Sequence, residues 1–297
     1  MKKLFIVTII TILLSSCFRL DDNLFSPDDK ITEYKLENYE GEQHFVLDAS
    51  YAIPSNLVSI FTLNSQAPSE SSPTTIYAIY IGDINTISTD TVIMYCHGNS
   101  NHMDYYWQRA KLLANCGGKN NYGVLMVDYR GYGLSEGEPS EDGLYADVDA
   151  ALNWLKGNGL TNDKLVIYGY SMGSAPATEL TAKPRSMNPF KLILEAPFAS
   201  AAVMVQDASV LGVPSSFITN LSVDNAEEIK SINQPFMWMH GVEDLFLNIN
   251  THGQVVYDNY QGSYKEAHKI SGADHGDVPV LYGYQNYCND VNTFIKK

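Results

Sequence analysis

The chain has 297 residues, of which 45% are hydrophobic, enough for one large α/β domain or two small ones with a buried core. Its formal net charge is −15 at pH 7, from 34 acidic and 19 basic side chains. Because it has no excess of Lys and Arg to neutralise phosphates, the chain is not expected to bind nucleic acid.

The N-terminus has the features of a bacterial export signal. Two lysines precede a short apolar run from Leu4 to Leu14, whereas a helix that spans a membrane needs about 20 apolar residues. The run ends in the letters LSSC, which resemble the lipobox of bacterial lipoproteins. That resemblance implies that residues 1–16 are a signal peptide and that Cys17 carries a lipid. An ordinary secretory signal and an uncleaved anchor are the alternatives.

Export would change both the charge and the location of the chain. Removal of residues 1–16 takes away two lysines and no acid, so the mature net charge becomes −15 − 2 = −17. Phe18 follows the cysteine and gives no retention signal of the aspartate type, which favours the outer membrane. A multiply acylated terminus is a firm anchor. The sequence therefore predicts an exported bacterial lipoprotein that is bound to a membrane through Cys17.

The segment before residue 90 has two parts. Residues 17–35 are polar, acidic and unpatterned, which predicts a tether between the lipid and a single domain at 36–297. Three β-rich stretches then follow, at 44–52, 57–63 and 74–81, and a polar loop separates the last two. They predict an antiparallel lead-in to a sheet.

After Asp90 the pattern alternates between strand and helix. It predicts strands at 91–96, 124–129, 164–170, 191–197, 235–241 and 265–270. It predicts helices at 103–116, 143–156, 174–182, near 255–260 and from about Val278. Continuous apolar strands that alternate with helices indicate an α/β fold with a mostly parallel sheet, covered by helices on both faces.

Three cysteines lie in the predicted domain. Cys96 ends an apolar strand and is predicted to be a small buried core residue. Cys116 and Cys288 fall on the first and last helices, which share one face of such a sheet. A disulfide between these two is open in an exported protein, and free thiols are the alternative.

A G-x-S-x-G pattern places Ser171 between an apolar strand and a helix. The five-residue pattern is common by chance, so its context carries the argument. Gly169 and Gly173 leave room for the strained turn that exposes a nucleophilic hydroxyl at the carboxyl end of a strand. Catalytic groups gather at that edge of a parallel sheet. Ser171 is therefore predicted to be a nucleophile.

The sequence Cys96-His97-Gly98-Asn99 follows the first strand of the parallel region. A His-Gly pair in this place is typical of a loop that directs a backbone N–H toward a developing oxyanion. The predicted donors are the N–H groups of Asn99 and of Met172, the residue after the nucleophile. His97 is a rival for the base, but its place before the nucleophile favours a structural role.

The catalytic acid is predicted in the loop after strand 235–241. Asp244 is the predicted carboxylate that orients a histidine, Glu243 is its solvated neighbour and Glu195 is the alternative. His240 lies close to these acids, but the H-E-x-x-H spacing of a zinc site is absent from the sequence, and no metal is predicted.

The predicted base is His275, in a loop of Gly, Asp and Ala after the last strand. His268 lies inside that strand and His252 begins a helix, so both are predicted to be surface or packing residues. The resulting chain order of Ser171, Asp244 and His275 is the order expected of α/β-hydrolases.

The chain resembles the serine α/β-hydrolases over roughly residues 90 to 297. Within them it is similar to a small-lid group that includes membrane-associated depalmitoylases, lysophospholipid lipases and bacterial esterases. The resemblance is carried by HGNSN at 97–101, DYRGYGLSEGEPSEDGLYADVDAALNWL at 128–155, GYSMG at 169–173, LEAPF at 194–198, HGVED at 240–244 and ADHGD at 273–277. Residues 36–89 match poorly.

The resemblance implies a short lid insertion at about 197–225. Its apolar residues suit an acyl chain, and a helix packed on the core is the alternative interpretation. Arg130, in the DYRGYG loop, has two interpretations as well. It could bind a substrate carboxylate or phosphate, but similar proteins favour an internal salt bridge.

These residues predict hydrolysis of a small-molecule acyl ester or thioester through an acyl-enzyme, without a cofactor. One alternative is a serine peptidase of the aminopeptidase type, with Asp207 or Asp224 to hold the substrate amine. Another is a non-catalytic surface lipoprotein on a hydrolase fold. The acyl chain, the leaving group and the oligomeric state stay open.

Overall fold

The computed structural model describes residues 25–27, 30–208 and 219–297. Within these residues one sheet contains eight strands: β1 Val58–Ser65, β2 Thr74–Ile81, β3 Val92–Cys96, β4 Gly123–Val127, β5 Leu165–Tyr170, β6 Lys191–Glu195, β7 Phe236–Gly241 and β8 Lys265–Ile270. Their order across the sheet is β1-β2-β4-β3-β5-β6-β7-β8. β2 is antiparallel to β1 and β4, and the other neighbouring pairs are parallel. The predicted mostly parallel sheet is confirmed.

Helices cover both faces of this sheet. In the described ranges they are α1 Trp107–Asn115, α2 Glu141–Gly157, α3 Ser174–Ala182, α4 Ala201–Ala208, α5 Asn225–Glu228, α6 Gly253–Asn259, α7 Val278–Tyr282 and α8 Tyr284–Lys296. One buried apolar cluster contains residues of α2, α3 and α6, and a second contains residues of α1, α7 and α8. The sheet lies between the two clusters, so the domain has three layers.

The residues of the central strands divide between the two clusters by simple alternation. In β3, Val92, Met94 and Cys96 pack on one face of the sheet, while Ile93 and Tyr95 pack on the other. Strands β3 to β7 are buried along their whole length, which explains their continuous apolar runs. Because these strands are parallel, their carboxyl ends lie at one edge, where the loops with the predicted site residues begin.

The stretch 44–52 is not a strand, so this part of the predicted lead-in is wrong. It contains a short helical turn, Ala49–Tyr51, which begins where the Asp48 side chain accepts a hydrogen bond from the N–H of Ser50. Phe45 is buried, with its ring centroid 5.2 Å from that of Tyr284 in α8. The apolar residues of this stretch therefore cover a helix instead of extending the sheet.

The second half of the predicted tether lies against the domain. The Phe25 side chain packs on the core, and the N–H of Ser26 donates to Asn99 Oδ1 at 3.1 Å. The Tyr34 hydroxyl donates to Asp128 Oδ2 at 2.6 Å. These partners are 73 and 94 positions further along the chain, so the local composition of residues 17–35 gave no sign of the contacts.

The predicted signal peptide, residues 1–16, and the predicted lipidation site Cys17 lie outside the described residues. Residues 209–218 of the predicted lid lie outside them as well. Within the ranges that the structure does describe, no helix combines the length and the apolar character needed to cross a membrane.

The three cysteines of the domain are buried. Cys96 packs in the core, as predicted. Cys116, just after α1, and Cys288 on α8 lie on the same face of the sheet, with their Sγ atoms 2.6 Å apart. Both are free thiols in this structure, so the disulfide that the sequence left open is not formed here.

Candidate active site

Ser171 lies in a tight turn between β5 and α3. Its φ of +51° is in the left-handed region, which is a strained conformation for a residue with a side chain. A Cβ on Gly169 would lie 2.6 Å from the carbonyl oxygen of Gly173, and a Cβ on Gly173 would lie closer than 3.0 Å to the carbonyl oxygens of Cys96 and His97. Only glycine fits at both positions, so the two glycines let the chain turn sharply at Ser171.

The structure brings Ser171, His275 and Asp244 together at the carboxyl edge of the sheet. His275 Nε2 lies 2.8 Å from Ser171 Oγ, and His275 Nδ1 lies 2.8 Å from Asp244 Oδ2. Because an ionised carboxylate can only accept, the proton of the neutral imidazole belongs on Nδ1. Nε2 then accepts from the Ser171 hydroxyl. This is the geometry of a nucleophile paired with a base and an orienting carboxylate.

Asp244 is held by more than His275. Its Oδ1 accepts hydrogen bonds from the N–H groups of Leu247 at 2.7 Å and Phe246 at 2.9 Å. Its Oδ2 also lies 3.1 Å from His240 Nε2. Burial alone would raise the pKa of Asp244, but the hydrogen bonds from His240, His275 and Leu247 outweigh it and hold that pKa well below its usual range. The carboxylate is therefore ionised at neutral pH.

His240, which the sequence suggested only as a metal ligand, is a partner of Asp244. The indole N–H of Trp238 donates to His240 Nδ1 at 3.2 Å, which places the imidazole proton on Nε2. Nε2 faces two acceptors, the carbonyl oxygen of Leu247 at 3.0 Å and Asp244 Oδ2 at 3.1 Å. Trp238 and His240 lie on β7, two positions apart, so their side chains share one face of the sheet. That spacing was visible in the sequence. Among the described residues, no group of three or more His, Cys, Asp or Glu side chains is placed to hold a metal ion.

The imidazole of His275 lies between two aromatic rings. Its ring centroid is 5.5 Å from that of Tyr170 and 5.0 Å from that of Phe246. Leu245 and Phe246 are large apolar side chains that remain exposed beside the site, by 89% and 66%. The two rings contact the imidazole from different segments of the chain, β5 and the loop after β7.

Asn99 and Met172, the predicted oxyanion donors, lie beside Ser171 in one cavity. The side-chain amide oxygen of Asn99 accepts from the Tyr132 hydroxyl at 2.5 Å as well as from Ser26. Its backbone carbonyl accepts from the Tyr106 hydroxyl at 2.8 Å. The loop that carries Asn99 is thus fixed by side chains from two other segments, which the sequence analysis did not predict.

The cavity next to Ser171 is mostly apolar. Its walls come from the turn at Ser171, the loop of Asn99, the N-terminal segment, α2, the two ends of the predicted lid and the loop after β7. The lining residues are Phe25, Asn99, Leu144, Ser171, Met172, Ala175, Phe198, Ala201, Met204, Leu221, Val223, Phe246 and Leu247. In the described part of the chain no charged side chain lines it. Such a surface suits a hydrocarbon group better than a charged one.

Two rival candidates for the acid and the base have structural positions. His97 is fully buried, and its Nδ1 lies 2.8 Å from the carbonyl oxygen of Gly98. Glu195 is fully buried and accepts hydrogen bonds from Arg109 at 2.7 Å and from the hydroxyls of Tyr168 and Tyr287. The structural role that the sequence favours for His97 is confirmed, and Glu195, the alternative acid, is a buried carboxylate whose hydrogen bonds go to structural partners.

The remaining candidates lie away from the cavity. Arg130 is buried and bound to Asp147 and Glu70, so the predicted internal salt bridge is confirmed. His252 is buried and accepts from the N–H of Ala199 at 3.1 Å. His268 pairs with acidic side chains at the surface of β8, and Glu243 is exposed.

The sheet order and the Ser–His–Asp series together define the class of protein as an α/β-hydrolase. A family model described as "Serine aminopeptidase, S33" matches residues 87–234, a range that includes Ser171 and ends before Asp244. Alpha/beta hydrolase domain-containing protein 17B of Xenopus laevis is 31% identical over 210 residues, which cover 70% of this chain and 67% of that protein. The human 17B protein is 30% identical over 207 residues, covering 69% of this chain and 66% of that protein. The chain belongs to the α/β-hydrolase family.

Solved structures share the fold at low identity. An esterase from Pyrococcus furiosus has a TM-score of 0.64 at 16% identity and covers 91% of this chain and 98% of its own. A bromoperoxidase from Bacillus anthracis has a TM-score of 0.58 at 15% identity and covers 80% of this chain and 100% of its own. At such identities the likeness shows the fold alone, and the predicted fold class is confirmed.

Proposed function

We propose that this α/β-hydrolase is a serine hydrolase that cleaves an acyl ester or thioester through an acyl-enzyme intermediate. The observation that carries the proposal is the hydrogen-bonded series from Ser171 through His275 to Asp244, at the wall of an apolar cavity. The family supports a hydrolase, and the cavity supports an apolar acyl group as the part of the substrate that is bound.

In the first half-reaction Ser171 Oγ attacks the acyl carbonyl while its proton passes to His275 Nε2. The imidazolium that forms is stabilised by Asp244, whose negatively charged carboxylate accepts the hydrogen bond from the Nδ1–H of His275. The N–H groups of Asn99 and Met172 are the proposed donors to the tetrahedral oxyanion. Collapse of this intermediate breaks the bond to the leaving group, and His275 returns the proton to the departing alcohol or thiol.

In the second half-reaction water takes the place of the leaving group. His275 removes a proton from water, the resulting hydroxide attacks the acyl-enzyme ester, and Ser171 leaves with that proton restored from the imidazolium. The products are a carboxylic acid and the free enzyme. No cofactor takes part in either half.

The proposed substrates are those of a carboxylesterase or a lysophospholipase. The cavity walls are apolar, so an acyl chain is the group that gains from leaving water. The proposed location is the surface of a bacterial membrane, with the outer membrane favoured, because the N-terminus resembles a lipoprotein signal that would anchor the chain through Cys17.

A serine peptidase of the aminopeptidase type is the second candidate, and the description of the matching family model favours it. Such an enzyme needs an anion to hold the substrate amine. Asp207 and Asp224, the two acids considered for that role, have other partners: Asp207 accepts from Thr251 at 2.8 Å and Asp224 caps α5 by accepting from Glu227 N at 2.9 Å. This arrangement supports the ester hydrolase over the peptidase.

The proposal is tested with Ser171→Ala and two panels of substrates. We expect wild type to hydrolyse p-nitrophenyl acyl esters and to be labelled by a fluorophosphonate probe, and Ser171→Ala to lose labelling and about 10³-fold or more of the rate. Aminoacyl amides should be poor substrates. Preference for the amides would establish the peptidase, and full turnover by Ser171→Ala would overturn the proposal. Failure of wild type to react with either panel or the probe would establish the non-catalytic alternative.

A further inference from the structure

Arg109 is a buried arginine of α1 that contacts the residues next to Ser171 and His275 in the candidate active site. Only 4% of it is exposed. Its guanidinium donates to Glu195 Oε1 at 2.7 Å, to Glu42 at 2.8 Å and to the carbonyl oxygen of Gly276 at 2.7 Å. Its Cζ also lies 4.1 Å from the centroid of the Tyr170 ring.

Two of these contacts reach the neighbours of the reacting residues. Tyr170 immediately precedes Ser171, and Gly276 immediately follows His275. The Tyr170 hydroxyl in turn donates to the carbonyl oxygen of His275 at 3.4 Å. One cation thus joins the end of β5, which carries the nucleophile, to the loop that carries the base.

The same arginine connects to the oxyanion side of the site. α1 follows the loop of Asn99, and the Tyr106 hydroxyl, three positions before Arg109, donates to the carbonyl oxygen of Asn99. The ring centroids of Tyr106 and Tyr170 are 6.2 Å apart. Tyr106, just before α1, therefore contacts the Asn99 loop, and Arg109 within α1 contacts the two residues that flank the Ser171–His275 pair.

Arg109 is held in a single orientation by its acceptors. Burial would lower the pKa of Arg109, but Glu42 and Glu195 more than offset this and keep the guanidinium charged. Three acceptors in different directions use the planar fork of donors that arginine has and lysine lacks. Replacement by lysine keeps the charge and loses at least one of these bonds.

We infer that Arg109 is a positioning residue, which fixes the distance between Ser171 Oγ and His275 Nε2 by binding Tyr170 and Gly276 at the same time. The inference rests on the proposed function, since it assigns Arg109 a role in the reaction that Ser171 and His275 carry out. Its loss would let the base loop shift relative to β5. A shift of that kind slows proton transfer and leaves the binding of the acyl group in the cavity unchanged.

Arg130 provides a matched control. It is also buried and paired with two carboxylates, at 2.8 Å from Asp147 and 2.5 Å from Glu70. None of its described hydrogen bonds reaches a residue that flanks Ser171 or His275. A variant at Arg130 therefore measures the effect of disturbing a buried ion pair that does not contact the residues next to Ser171 and His275.

The experiment compares Arg109→Lys with Arg130→Lys in the full chain, with p-nitrophenyl acetate as substrate. We expect Arg109→Lys to lower kcat about tenfold with KM within twofold of wild type, since small displacements of reacting groups have effects of this size. Arg130→Lys should lose a similar amount of thermal stability, because it disturbs a buried ion pair. Its kcat should stay within about twofold of wild type. Equal kcat values for the two variants would overturn the inference.

A milder pair of variants keeps the test decisive if a lysine variant does not fold. Glu42→Ala removes the more exposed of the two carboxylates that bind Arg109, and Glu70→Ala does the same for Arg130. Only Glu42→Ala is expected to lower kcat. Equal kcat values for these two variants would also contradict the inference. Ser171→Ala is assayed alongside. If it retains full turnover, the proposed function fails and this inference with it. If it is inactive while the Arg109 and Glu42 variants match their controls, only this inference fails.

Discussion

The carboxylate of Asp244 accepts hydrogen bonds from two imidazoles and two backbone N–H groups, so its charge is compensated before a substrate arrives. In the proposed reaction, such preorganisation would let the carboxylate stabilise the imidazolium of His275 without moving. Asp244→Asn keeps the shape and removes the charge. We expect kcat for a short p-nitrophenyl ester to fall about 10³-fold or more, because a neutral amide neither stabilises the imidazolium nor enforces its tautomer.

The exposed neighbour of Asp244 provides the control for this prediction. Glu243→Gln makes the same chemical change one position earlier and should leave kcat within about twofold, since exposed charges contribute little. Equal losses in the two variants would show that Asp244 is not the orienting carboxylate.

Asp244 also makes stability depend on pH. Because its pKa is lower in the folded chain than in the unfolded chain, the ionised carboxylate contributes stability above the unfolded value of about 3.9, and this contribution is lost as pH falls toward the folded value. We expect Asp244→Asn to unfold at a lower urea concentration than wild type near pH 6, with the gap shrinking between about pH 5 and pH 3. A gap that is constant over this range would contradict the assignment.

Single residues were predictable where their neighbours in sequence define their place. Ser171 and Asp244 follow apolar strands, and His275 lies in the short loop of Gly, Asp and Ala residues after the last strand. These positions predicted that the three side chains would meet, and the structure brings them together. Arg109 could not, because its partners Glu42 and Glu195 lie 67 and 86 positions away and a helix of mixed composition gives no sign of them.

At the scale of elements, the turn between β5 and α3 packs Ser171, the proposed nucleophile, against the end of β3. Gly173 packs so closely on the carbonyl groups of Cys96 and His97 that a methyl group there would push the Asn99 loop outward. We expect Gly173→Ala to destabilise the fold by at least about 2 kcal/mol through overpacking. The folded fraction should also hydrolyse esters poorly, because the loop of Asn99, a proposed oxyanion donor, is displaced.

A second glycine separates this effect from the generic effect of an added methyl group. Gly157, at the end of α2, has open space around its Cβ position and an ordinary φ. Gly157→Ala should therefore be neutral or stabilising by up to about 1 kcal/mol. Urea unfolding of both variants measures the difference, and similar values for the two would refute the close-packing argument.

Strands and helices that follow a regular apolar pattern were predicted from the sequence. Segments whose structure depends on contacts with residues far away in the sequence were not. The parallel strands and their helices match the sequence pattern because both faces of the sheet are buried. The stretch 44–52 has the composition of a strand, yet Phe45 packs beside Arg109 and Tyr284 while Asp48 caps a helical turn. Its residue types fit either structure, and the tertiary contact decides between them.

At the scale of the whole molecule, the segment before β1 is part of the domain. Tyr34 binds Asp128, and Glu42 binds Arg109. Asn115 of α1 donates to the backbone carbonyl of Tyr51 at 3.2 Å. The N-terminal segment thus lies across α1, the helix whose Arg109 contacts the residues next to Ser171 and His275. A substitution in this segment that disturbs the pair of Glu42 with Arg109 is therefore expected to change kcat.

Two free thiols are placed to form a disulfide between the end of α1 and α8. Cys116 and Cys288 are 172 positions apart in sequence with their Sγ atoms in contact. Oxidised glutathione supplies the oxidant: one thiolate attacks it to form a mixed disulfide, and the other thiolate displaces the second glutathione as the protein disulfide forms. Burial raises the pKa of the Cys116 thiol, so the reaction is expected to be slow.

Oxidation is expected to stabilise the fold, because a cross-link over a loop of this length removes entropy from the unfolded chain worth about 5 kcal/mol in the simple loop model. Thiol titration in denaturant should find two fewer thiols after oxidation of wild type and no change in the Cys116→Ser/Cys288→Ser double variant. The urea midpoint of wild type should rise on oxidation, and that of the double variant should stay fixed. Retention of both thiols by wild type that is refolded in the presence of oxidised glutathione, so that burial does not limit the reaction, would show that Cys116 and Cys288 do not approach as closely as the structure places them.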